Sequence, residues 1–212
     1  KPILYFIVCA DAPPSWIYKL SHLCLNNTKS VALVTGPLSK TLIKDSGYSA
    51  VGHTDILAEV SGAKDLFMGF VGKHFNVVLL TGHIPLKAVS LKLKNLNWDR
   101  VTDALYSFIP SLPLSKKPVG LLGLNPHAGE NGLISEGEDD LLKSVASRLN
   151  ASPGTNFKIE GPLVPDAAFM KANWSRYCVY LCGYHDQGLI PFKAIHGQDS
   201  GVHVTLGLPF IR

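Results

Sequence analysis

The chain has 212 residues, 46% hydrophobic and 17% charged, proportions that let a chain of this length bury a core without disulfide or metal staples. Twenty Lys and Arg against 16 Asp and Glu give a formal charge of +4, and the basic residues are scattered, with no run longer than Lys116-Lys117, which excludes a nucleic-acid-binding stripe. The longest apolar stretches, residues 3–10 and 119–124, fall well short of the roughly 18 needed to cross a bilayer, so no membrane segment is expected.

In chain order, residues 3–10 follow Lys1 and precede Ala10-Asp11-Ala12, an arrangement reminiscent of a secretory leader and its cleavage site. Their β-branched and aromatic content favours a strand instead. The chain starts without Met, as a fragment does. Further strands are expected at 31–35, 66–71, 76–80, 119–124, 157–160, 177–182 and 202–206, and helices at 98–109 and 136–149. Alternation of short apolar runs with amphipathic segments predicts an α/β fold, a mostly parallel sheet covered by helices. Ser135 with Glu138 three residues on reads as a capping box for the second helix. Residues 111–118 and 151–156 have loop composition but are too short for interdomain linkers. Four cysteines are too few for a disulfide scaffold; Cys9, Cys178 and Cys182 lie in apolar runs, and the last two are expected on one buried strand face. A reduced, cytoplasmic protein follows.

The informative pattern is positional. The strand at 76–80 runs into Thr81-Gly82-His83, that at 119–124 into Asn125-Pro126-His127-Ala128-Gly129-Glu130, and that at 177–182 into Gly183-Tyr184-His185-Asp186-Gln187-Gly188. In open α/β sheets ligands bind beyond the carboxyl ends of strands, so three imidazoles delivered there can converge on one divalent cation with a position left open for substrate. The alternative for each is a loop histidine bonded to a nearby carbonyl. Imidazole suits several metals, so zinc, magnesium, manganese and cobalt all stay open. Asp166, after Gly161-Pro162, either adds a carboxylate or caps a helix at 167–173. Thr35-Gly36-Pro37-Leu38-Ser39-Lys40 and Gly52-His53-Thr54, the latter opening a helix, are possible anion sites. Neither is a Walker loop, and no G-x-G-x-x-G occurs, so a dinucleotide needs another binding mode. His22, His74 and His196 have no such context and read as ordinary surface or core residues.

Those segments, together with His83-Ile84-Pro85-Leu86, Tyr184-His185-Asp186-Gln187-Gly188 and the terminal Thr205-Leu206-Gly207-Leu208-Pro209-Phe210-Ile211-Arg212, resemble the 4-hydroxythreonine-4-phosphate dehydrogenase family of pyridoxal phosphate biosynthesis, in the family's order from about residue 30 to the last. The resemblance implies a two-lobed α/β/α fold of the isocitrate and isopropylmalate dehydrogenase type, in a homodimer whose active site lies at the subunit interface. Residues 1–50 would be part of the first, cofactor-side lobe; residues 51–212 would form the substrate- and metal-binding lobe and begin the return to the first. The implied reaction is oxidation of the C3 hydroxyl of 4-phosphooxy-L-threonine with NAD or NADP, followed by decarboxylation to 3-amino-2-oxopropyl phosphate. His83, His127 and His185 become the implied metal ligands; His53 and Thr54 of the possible anion site, with Lys193 and Arg212, otherwise plain surface cations, become substrate contacts. Asp166 and Lys193 become the catalytic candidates, and no residue is singled out for the nucleotide.

Two departures stand out. His203 occupies a substrate-contacting position that is usually Asn in the family, which leaves room for a related phosphorylated sugar acid as substrate. The chain also lacks the family's Gly-Pro-rich opening motif and stops at Arg212, where the family continues into a nucleotide-binding segment. Parts of the cofactor lobe are therefore expected to be missing at both ends, and a metal- and ligand-binding relative without hydride transfer is a further reading.

Overall fold

The computed structural model describes residues 11–26, 32–50, 52–197 and 200–212. The expected strand at 3–10, with Cys9, lies outside them. The helices are α1 (Pro13–Asn26), α2 (Lys40–Asp45), α3 (His53–Ser61), α4 (Val89–Lys94), α5 (Trp98–Phe108), α6 (Glu138–Ala151), α7 (Pro165–Ala168) and α8 (His185–His196). The strands are β1 (Phe67–Val71), β2 (Val77–Leu79), β3 (Val119–Leu122), β4 (Ile159–Leu163), β5 (Val179–Cys182) and β6 (Val202–Leu206).

The described chain divides into two units, one running to Leu66 and including Leu208–Arg212, the other Phe67–Gly207. The division falls after α3, where the sequence reading set the change of lobe at residue 50. In the first unit, Ile56 and Leu57 of α3 are wholly buried with Ile17 and Cys24 of α1, Leu33 and Phe210. The expected strand at 31–35 is reduced, among described residues, to one bridge between Ala32 and Ile211.

The second unit is a six-stranded sheet in the order β4-β3-β5-β2-β1-β6. The β4-β3, β3-β5 and β5-β2 pairs are parallel, whereas β1 is antiparallel to both β2 and β6. The reversal follows from chain length: residues 72–76 join β1 to β2, and a parallel crossover needs about a dozen residues or more. The α/β, mostly parallel architecture expected from the sequence is thus the one found. Every residue of β2, β3 and β5 is buried, as central strands covered on both faces must be. Val78, Val119, Leu121, Val179 and Leu181 pack on one face with α4, α5 and α6, while Val77, Leu79, Leu122, Tyr180 and Cys182 pack on the other with Leu189 and Phe192 of α8. Cys178 and Cys182 are both buried but fall in different clusters, correcting the expectation of a shared face, because Cys178 precedes β5 and escapes its alternation.

Local chemistry sets the element ends. The Asn97 side chain accepts from the Asp99 and Arg100 N–H groups and starts α5, a cap worth about 1 kcal/mol. The capping box expected at Ser135 takes another form: Gly137, at φ 93°, is the N-cap of α6 and makes no side-chain cap, while Ser135, two residues earlier, accepts from the Asp139 N–H at 3.3 Å and donates to the Glu138 carboxylate at 3.2 Å. The strand expected at 157–160 begins at Ile159, whose N–H and C=O are both held by the Asn150 side chain at 2.8 Å. Asp166 is not a cap either. Val164 precedes α7, Pro165 takes the first position, and the helix expected at 167–173 breaks into α7 and a short turn at Lys171–Asn173.

Candidate functional site

Because β3, β5 and β2 are adjacent and parallel, their carboxyl ends open on one edge of the sheet, and the three histidine-bearing turns leave from that edge. The turns are stitched together. Thr81 Oγ1 donates to the Gly183 carbonyl at 2.8 Å, Gln187 Oε1 accepts from the Gly183 N–H at 2.6 Å, and Gln187 Nε2 donates to the Gly123 carbonyl at 2.8 Å. Gly188 lets α8 approach the sheet, since a Cβ there would stand 2.7 Å from Leu79 Cδ2.

His83 and His185 meet, their ring centroids 5.0 Å apart and their planes at 48°. Both line a cavity of about 270 Å³ with Gly82, Ile84, Leu86, Tyr184 and Asp186. His185 Nδ1 lies 2.7 Å from the Asp186 carboxylate. A carboxylate only accepts, so Nδ1 carries a proton, and in the neutral ring that leaves the Nε2 lone pair for a metal. The pair therefore fits a divalent cation in donor chemistry. His127 is exposed in the turn after β3. Among the described residues no group of three His, Cys, Asp or Glu side chains stands ready to hold a metal, so one chain brings two of the three imidazoles together.

The other sequence-selected residues divide between the units. In the first, Arg212 Nη2 donates to Thr35 Oγ1 at 3.0 Å, tying the last residue to the Thr35-Gly36-Pro37 segment. His53, first residue of α3, is held below the usual imidazole range, mainly by burial and then by the Arg212 charge, against an opposing hydrogen bond to the Gly36 backbone. Its Nε2 is buried and has no hydrogen-bond partner. Thr54 is exposed one residue further along. A cavity of about 230 Å³, lined by Trp16, Leu20, Thr35, Gly36 and His53 among others, adjoins this group. In the second unit, Asp166 is exposed in α7, which lies against the Pro126–Gly132 turn, and Lys193 is exposed in the last turn of α8. His203, opposite Phe70 on β6, stacks on its ring at 4.8 Å.

Sequence reasoning missed the bracing groups Thr81 and Gln187, whose motif neighbours carried the signal. It also treated His196 as ordinary. His196 is buried, accepts from the His74 N–H with Nε2 at 3.0 Å and donates from Nδ1 to the Phe192 carbonyl at 2.9 Å. No local pattern marks such a role.

Fold and imidazole pair together define an α/β protein with paired histidines over a cavity beyond the carboxyl edge of a mostly parallel sheet. Residues 12–212 match the family described as "Pyridoxal phosphate biosynthetic protein PdxA", and the chain belongs to that family. It is 41% identical over 185 residues to a 4-hydroxythreonine-4-phosphate dehydrogenase of Sulfurihydrogenibium sp., covering 87% of this chain and 56% of the relative. It is 34% identical over 184 residues to a D-threonate 4-phosphate dehydrogenase of Pectobacterium atrosepticum, covering 85% and 54%. The crystal structure of a 4-hydroxythreonine-4-phosphate dehydrogenase from Klebsiella pneumoniae superposes with a TM-score of 0.77 at 28% identity, covering 94% of this chain and 59% of that one. The chain thus spans little more than half the length of these relatives. Among its described residues no helix is long and apolar enough to cross a membrane.

Proposed function

We propose that this chain carries the substrate- and metal-binding part of an NAD(P)-dependent dehydrogenase that oxidises and decarboxylates 4-phosphooxy-L-threonine. The observation that carries the reading is the His83–His185 pair over its cavity at the carboxyl edge of β2 and β5. His83 and His185 hold a divalent cation, zinc, magnesium, manganese or cobalt, with His127 supplied by a second copy in a homodimer. When bound, the cation acts as a Lewis acid on the substrate hydroxyl and on the ketone it becomes. His53, Thr54, Lys193, His203 and Arg212, the residues the family resemblance assigns to the substrate, supply charge-assisted and polar contacts to phosphate and carboxylate. Asp166 takes the hydroxyl proton as the C3 hydride departs, and Lys193 returns a proton to the carbon that loses carbon dioxide. The setting is cytoplasmic.

The test is NADH formation by the purified chain with substrate, NAD and each metal. Turnover that disappears in His83→Ala and His185→Ala supports the reading; binding of the phosphorylated substrate without NADH formation would favour a ligand-binding role. A second substrate has its own support, since His203 departs from the family's Asn and the Pectobacterium relative is named for D-threonate 4-phosphate.

A further inference from the structure

Two carboxylates outside the sites described above remain to be explained. Glu138 and Asp139 open α6, yet they are only 7% and 4% exposed. Burying an acid is costly unless it is fully bonded, and a helix N-terminus needs no buried pair to be capped. Both carboxylates reach away from their own helix. Asp139 Oδ1 accepts from the Leu124 N–H at 2.8 Å, and Oδ2 accepts from Asn125 Nδ2 at 2.7 Å, so one side chain holds both residues that lead into Pro126-His127. Glu138 Oε1 accepts from the Ser90 hydroxyl at 2.6 Å, and its Oε2 accepts from the Glu136 N–H at 2.8 Å and from Asn125 Nδ2 at 3.4 Å. Ser90 belongs to α4, which follows the His83 turn. Glu138 therefore bonds the chain downstream of His83 and the chain upstream of His127 at once.

The His127 turn needs such support. His127, Ala128, Gly129, Glu130 and Asn131 all have positive φ, from 43° to 80°, and only one is glycine. Left-handed backbone is unfavourable for each non-glycine residue there, and a run of them persists only where its surroundings over-determine it. Gly129 is packed against the same carboxylate, since a Cβ there would stand 3.0 Å from Asp139 Oδ2. Every donor named is neutral, so what the pair supplies is directional bonding and not charge pairing.

We propose that Glu138 and Asp139 are positioning residues that clamp the His127 turn to α6 and to the α4 segment behind His83, setting where these imidazoles stand for the cation. The proposal rests on the metal reading above. The hydrogen bond from Ser90 is the leading cause that holds Glu138 down at about 2, well below the usual carboxylate range and against the effect of burial, so Glu138 is anionic at neutral pH.

The experiment is Zn2+ titration calorimetry on the full chain, with amide hydrogen exchange across residues 124–134, for Glu138→Gln, Asp139→Asn and the control Asn150→Ala. The control removes two bonds of similar length to Ile159 and leaves the turn untouched. The clamp predicts roughly tenfold or greater loss of Zn2+ affinity and about tenfold faster exchange in the two acid variants, with the control's affinity within about twofold of wild type. Equal loss in the control would reduce the effect to general stability and overturn the proposal. So would unchanged affinity in both acid variants alongside loss in His83→Ala, an outcome that leaves the metal reading intact. A wild type that takes up no Zn2+ overturns the metal reading itself, and with it the role toward the cation; exchange then decides whether the clamp shapes the turn.

Discussion

His83 and His185, far apart in the chain, bring their ring centroids to 5.0 Å because the strands that deliver them, β2 and β5, are hydrogen-bonded neighbours running the same way. The Leu80 N–H donates to the Cys182 carbonyl at 2.8 Å, and Thr81 bonds Gly183 one residue later, so the register continues up to the turns that carry the rings.

This pairing predicts the metal behaviour. Alanine at His83 or His185 should weaken divalent-cation binding by about tenfold or more, since few ligands leave little redundancy. Calorimetric titration against wild type checks it, and equal affinities in all three proteins would remove the site.

His127 tests the assembly. If its imidazole completes the site from a second copy, light scattering should show a dimer, and cation affinity should fall on dilution through the dimer's dissociation range. A monomer with undiminished affinity would contradict the shared site.

Gln187 braces two of the turns. Gln187→Ala leaves the Gly183 N–H and the Gly123 carbonyl without this partner and should cost about 1–3 kcal/mol in urea unfolding. Cation affinity should fall as well, because the turn bearing His185 loses its tie to β3. A variant as stable as wild type would show that water replaces the amide.

The His196 latch has a definite pH signature. Burial, and then the neighbouring His74, hold the imidazole below its usual range against the opposing Phe192 carbonyl. A group whose folded value is depressed is neutral in the native state, so its contribution is full above about pH 6.5 and is lost as pH falls below that. Urea midpoints should therefore drop between about pH 7.5 and about pH 5.5, and less so in His196→Gln. His53 shifts in the same direction, so the slope shrinks without vanishing. Gly72→Ala, whose Cβ would stand 2.6 Å from His196 Nε2, should cost about 1–3 kcal/mol at either pH.

His203 bears on substrate choice. His203→Asn restores the donor and acceptor of an amide and should shift the ratio of affinities for 4-phosphooxy-L-threonine and D-threonate 4-phosphate, measured by calorimetry. An unchanged ratio would confine His203 to its stack on Phe70.

The sequence by itself determined the α/β class, the approximate place of the strands in the second unit and the edge at which three histidines emerge. Those features follow from runs of consecutive apolar residues and from what stands immediately after them, both local properties of the chain. It also carried the family, through motifs spread from Thr35 to Arg212. Tertiary structure decided the rest. The short 72–76 connection turned β1 antiparallel, and Gly137 at positive φ took the N-cap of α6 in place of Ser135. Cys178 and Cys182 went to opposite clusters once β5 began at Val179. That His83 and His185 meet, and that Asp139 holds Leu124 and Asn125 ahead of the left-handed turn bearing His127, depends on which strands are neighbours and which side chains reach across. No local pattern encodes those contacts, because each joins segments that the chain brings together only by folding.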